Sequence, residues 1–139
     1  MPKRIVLKIW KSLQEPKVIT LLQTVLYALI ALAGVGIIAW PPSSLENVTG
    51  SVLSVVCGSF ALLGGLLGMF ATPTGKWFLE RPGIYLCGTA VVFYLGTLGY
   101  LQVVSSGNRL VQMSFVAIAG IALAIRFERI RAFDYEPGK

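Results

Sequence analysis

Apolar positions in this chain come in long unbroken blocks rather than at the short periods of a soluble fold. Residues 18–40, 51–71, 84–104 and 110–125 contain no Asp, Glu, Lys or Arg. A hydrocarbon layer ~30 Å thick asks for about 20 apolar residues in a helix, so each block predicts a membrane span. The fourth block is short, ~24 Å of helix. Arg109 and Arg126 at its ends have stems long enough to carry their charges out to water, and the helix is expected to run on through Arg131.

The polar positions between the blocks predict how the spans connect. Pro41-Pro42 stops the first helix just past Trp40. Ser43 followed by Glu46 has the spacing of a capping box, which places the next helix start near Ser44, before the second span proper. Residues 72–83 hold Pro73, Gly75, Pro82 and Gly83 and read as a loop. Within it, Lys76 to Arg81 is amphipathic, with Trp77 suited to the membrane surface. Residues 105–109 are so short a link that the third and fourth helices must be antiparallel neighbours. Before the first span, residues 3–15 place Arg4, Lys8 and Lys11 on one helical face and Ile5, Ile9 and Leu13 on another, with Trp10 near the boundary. Such a segment suits the headgroup layer. Residues 1–17 are therefore a basic amphipathic lead-in and 126–139 a basic tail, flanking a single all-α domain, an antiparallel four-helix membrane bundle.

Charge then orients the bundle. Of the 12 basic residues, Lys3, Arg4, Lys8, Lys11, Lys17, Lys76, Arg81, Arg126, Arg129, Arg131 and Lys139 fall on one side of the predicted membrane, and Arg109 alone on the other. Basic loops stay in the cytoplasm, so both termini are expected there, in a plasma (inner) membrane protein. Arg4, Lys8, Trp10, Lys11, Trp40, Trp77, Arg126 and Arg129 are the candidate contacts with the membrane surface.

Composition narrows the function classes. Charged residues are 13% of the chain, against about 25% in an average soluble domain, which argues against a second, soluble domain. The net charge of +6 does not point to nucleic acid, because the orientation rule and anionic lipid already account for bases at span ends. The basic start and Ala31-Leu32-Ala33 have the look of a cleavable leader, but the apolar run continues to Trp40, so the first span is read as a retained anchor. The span boundaries put Cys57 and Cys87 at depths about 15 Å apart, too far for a disulfide within the chain.

The spans also carry packing signals. Ser54, Cys57, Ala61, Gly64 and Gly68 follow steps of three and four, a stripe of small residues widened by Gly58 and Gly65. Met113, Ala117, Gly120 and Ala124 form a second stripe. Lipid is as apolar as Leu, so membrane helices associate where small side chains let backbones approach. Such a face either closes the bundle within one chain or joins it to another copy. No histidine is present, and no carboxylate or basic side chain lies inside a predicted span. No P-loop, CxxC pair, metal-ligand cluster or nucleophile beside a base is found, so neither catalysis nor a cofactor or metal is expected.

Pro41-Pro42, the run Leu63-Gly64-Gly65-Leu66-Leu67-Gly68, the segment from Trp77 to Gly83 and Ser105-Ser106-Gly107-Asn108-Arg109 together resemble the small four-span membrane proteins encoded by actinobacterial phages. That resemblance implies a holin-like role, in which copies accumulate in the inner membrane, self-associate and permeabilise it. The alternative reading is a structural or interaction subunit, such as an exclusion or adaptor factor, that binds another membrane protein. A small passive transporter is a third; it would need polar residues from several spans to converge.

Overall fold

A computed structural model describes residues 17–133, which form four helices and no strand: α1 (Lys17–Ala39), α2 (Ser43–Thr74), α3 (Trp77–Val104) and α4 (Leu110–Phe133). The amphipathic segment at 3–15, with Arg4, Lys8, Trp10 and Lys11, and the tail beyond 133 lie outside the described residues. All four helices are long and apolar enough to cross a membrane. At 1.5 Å per residue the shortest, the 23-residue α1, measures ~34 Å, more than the hydrocarbon thickness.

Helix ends follow from local chemistry. α1 stops where Pro41 and Pro42 remove two backbone donors. The Pro42 carbonyl then accepts the first bonds of α2, from Leu45 N at 2.8 Å and Glu46 N at 3.0 Å. The expected Ser43–Glu46 box does not form. Pro42 is the N-cap and makes no side-chain cap bond, because Ser43 is already helical. Within α2, Gly50 (φ 77°, ψ 166°) interrupts the helix and separates a short leading segment from the long span. That region of backbone space belongs almost wholly to glycine.

The loop expected at residues 72–83 shrinks to Gly75 and Lys76. Gly75 takes the left-handed conformation, and Gly75 N and Lys76 N donate to the carbonyls of Thr72 (3.4 Å) and Ala71 (3.2 Å), a Schellman closure. Pro73 and Pro82 fall inside helices, each within two turns of an end. At the other end of the molecule the link from α3 to α4 is tied by Arg109 N donating to Gln102 Oε1 at 2.7 Å.

Small residues set the helix registry. A Cβ on Gly34 would stand 2.5 Å from Leu62 N, and one on Gly65 2.6 Å from Ala31 N, so α1 and α2 touch backbone to backbone. On its other face α2 meets α3. A Cβ on Gly64 would stand 2.8 Å from Cys87 N, and the Cys57 thiol donates to the Ala90 carbonyl at 3.7 Å. α4 lies on α3 through Tyr85 against Phe127, with ring centroids 5.5 Å apart, and through Gly120, whose missing Cβ would be 3.1 Å from Val91. In all three seams residue numbers rise on one helix as they fall on the next, so neighbours are antiparallel. Extensive packing is confined to consecutive helices, and α4 has only α3 as a close neighbour. The bundle is therefore open rather than closed into a square.

Both cysteines are buried and free. Their depths differ less than the span boundaries implied. Cys57 is opposite Ala90, one turn from Cys87, and Cys87 is opposite Gly64, two turns from Cys57, a separation along the bundle of roughly 5–10 Å.

Candidate functional site: a buried carboxylate where four helices meet

Glu80 stands in the first turn of α3, where the unpaired N–H groups favour negative charge. It is 1% exposed. The Schellman turn at Gly75 folds α3 back on α2 and so carries this carboxylate inward, under Thr72. The Thr72 hydroxyl is 2.8 Å from the Gly68 carbonyl and 3.1 Å from Glu80 Oε1, and its single proton serves one of them at a time. From α1 the Tyr27 hydroxyl donates to Oε1 at 3.2 Å. Tyr27 reaches this point because its ring lies on Gly68, where a Cβ would overlap it. From α4 the Arg126 guanidinium closes a two-pronged pair, Nε to Oε1 at 2.7 Å and Nη2 to Oε2 at 2.9 Å.

One carboxylate thus collects donors from α1, α2 and α4 while belonging to α3. Two parallel bonds from a planar guanidinium give the strongest and most directional form of this contact. The pair is shielded, with side chains 8% (Arg126) and 2% (Glu80) exposed. Removing both charges from water is costly, and only close geometry with further hydrogen bonds offsets that cost. Gln23, one turn before Tyr27 on α1, adjoins the Tyr27 hydroxyl at the edge of the same cluster.

The expectation for Arg126 is corrected here. Its head is buried rather than presented outward, because α4 runs on past it and Glu80 offers a bidentate acceptor. The expectation that no carboxylate or basic side chain lies within a span changes with it: the spanning stretches of α3 and α4 extend over Glu80 and Arg126. The signal was present in the sequence. Glu80 is the only carboxylate between Glu46 and Glu128. An acid so isolated, beside a span and with an Arg interrupting an otherwise apolar helix, calls for a pairing test.

The other predicted residues separate into groups. Ser54, Cys57 and Ala61 are buried inside the chain, and Ser54 Oγ donates to the Gly50 carbonyl at 2.9 Å. Gly64 faces α3 and Gly68 faces Tyr27, so the α2 stripe is two intramolecular seams, and as such it is not a free self-association face. On α4, Gly120 packs on Val91, Ala117 is half-buried and Ala124 is exposed. Trp40 is 81% exposed and Arg129 is exposed. Trp77 opens α3, and its side chain lies outside the described residues.

Among the described residues no three His, Cys, Asp or Glu side chains gather as metal ligands. The Glu80 cluster is one carboxylate held by a guanidinium and two hydroxyls. Its chemistry is charge neutralisation and helix fastening. No family model matches the chain, and no curated protein or solved structure matches it either.

Proposed function

We propose that this protein is a non-catalytic, multi-pass membrane protein that acts as a structural or interaction subunit, associating with another membrane protein through its outer helices. The observation that carries this reading is the division of labour among faces. The small residues of α2 are spent on α1 and α3, whereas α4 has one close neighbour and presents Phe115, Ile118, Ile121 and Ile125, each 59–69% exposed. By the orientation rule, the basic residues concentrated at one side of the predicted spans favour a cytoplasmic side for both termini.

Two other readings meet specific observations. A holin-like role needs strong contacts between copies, and the face best suited to supply them is occupied within the chain. A transport role gains one point in its favour, because Tyr27, Thr72, Glu80 and Arg126 converge from all four helices. Intramembrane ionisable groups commonly mark ion or substrate paths. Beyond the cluster, however, the α1–α2 and α2–α3 seams are closed by Ala31, Gly65, Gly64 and Cys87 in near-backbone contact.

Induced expression in a bacterium, with a photo-crosslinking residue at Ile121 and a voltage-sensitive dye, tests the proposal. The expected result is a discrete protein adduct at Ile121 with the membrane potential unchanged. Collapse of the potential with adducts only between copies overturns it in favour of a holin-like protein. Adducts to lipid alone remove the interaction role.

A further inference from the structure

Between α3 and α4 an open groove of about 570 Å³ runs along the side of the molecule, lined by Tyr85, Gly88, Thr89 and Val92 on α3 and by Ala124 and Phe127 on α4. Its walls are apolar in effect, since the Thr89 hydroxyl already donates to the Tyr85 carbonyl at 2.8 Å. Gly88 opens the floor: a Cβ there would meet nothing within 4 Å. At one end the Tyr85 and Phe127 rings meet edge to face at 65°.

Helical spacing continues both walls past those rings. Arg81 is four residues before Tyr85, and Arg131 four after Phe127, so each arginine follows the groove line one turn further on. Arg81 is half-buried and Arg131 is exposed. The Arg131 pair with Glu128, 3.8 Å apart with both side chains more than half exposed, is a weak competitor for its charge. From Arg81 to Val92 is ~16 Å of helix, close to half of a ~30 Å hydrocarbon layer.

We propose that this groove is a binding site for one anionic phospholipid, with an acyl chain lying along Gly88 and the phosphate held at Arg131. An apolar channel one leaflet deep with cations only at its mouth has the shape and charge order of such a lipid. A second copy of the chain fits worse, because a parallel neighbour would set its own Arg81 and Arg131 against these two. The site is on the side where the bases gather, the leaflet richest in anionic lipid. The inference rests on the membrane reading, and it holds whether or not α4 binds a protein.

The full chain, purified in non-ionic detergent, is incubated with phosphatidylglycerol or phosphatidylcholine of identical acyl chains, and bound lipid is read by native mass spectrometry. Phosphatidylglycerol is expected to be retained at least fivefold better. Arg131→Gln should remove that preference while Arg129→Gln, on the opposite face of α4, leaves it. Gly88→Leu should cut retention of both lipids about fivefold at an unchanged melting temperature. Gly36→Leu, equally uncrowded but on α1, should not. Equal retention of the two lipids overturns the proposal. So does wild-type retention by Gly88→Leu, or ready disulfide dimerisation of Gly88→Cys in membranes, which puts a second copy in the groove. Failure of the membrane reading itself shows separately, as release of the protein from membranes by carbonate without detergent.

Discussion

Gly68 carries more structural weight than its size suggests. With no side chain it lets the Tyr27 ring lie flat on α2, and that ring delivers its hydroxyl to Glu80. Gly68→Ile is therefore expected to destabilise the single chain, by about 1–3 kcal/mol for overpacking alone and more as the Tyr27 hydrogen bond is lost. Thermal unfolding in detergent or nanodiscs checks this, with chain association followed in parallel. Loss of oligomers from an otherwise stable monomer would contradict the intramolecular assignment. Tyr27→Phe isolates the hydrogen bond. A donor to a buried charged group contributes about 1.5–3 kcal/mol, and at 3.2 Å the lower end is expected. An unchanged melting temperature for Tyr27→Phe would mean that Arg126 and Thr72 satisfy the carboxylate without it.

Among the helices, α2 is the organising element. It touches α1 with Gly58 and Gly65 and α3 with Cys57 and Gly64, so residues that a single helical stripe places together serve two partners. Its one backbone irregularity is Gly50. Gly50→Ala meets no steric neighbour but must adopt φ 77°, ψ 166°, so a loss of about 1–3 kcal/mol, read as a lower melting temperature, is expected from backbone strain alone. No loss would show that the break relaxes into continuous helix. The long apolar blocks made the four helices legible in the sequence, because length and absence of charge are local properties. The stripe at Ser54, Cys57, Ala61, Gly64 and Gly68 likewise announced close packing. What remained hidden depends on contacts far apart in sequence. The pairing of Glu80 with Arg126 spans 46 residues, and it was obscured because Pro73 and Pro82 made residues 72–83 read as a loop when both prolines are tolerated inside helices. The capping box failed for a similar reason: Pro42 caps α2 through its carbonyl and leaves Ser43 no role there.

At the scale of the whole molecule, an open row of antiparallel helices needs something to hold its ends together, and Glu80 is the point where all four meet. By the orientation rule for basic residues, this end is expected to face the cytoplasm. A reporter fused at Lys139 should be active only in the cytoplasm, and one inserted at Asn47 only outside. Activity outside at Lys139 would reverse the orientation. The most direct test of the account is a double-mutant cycle on the buried pair, measured as unfolding free energy of the full chain in lipid nanodiscs. Glu80→Met and Arg126→Met alone should each cost about 3–5 kcal/mol, because each leaves a buried charge unpaired, whereas the two together should recover most of that loss. Single variants within about 0.5 kcal/mol of wild type, or purely additive losses across the cycle, would contradict a fold fastened by one carboxylate shared among four helices.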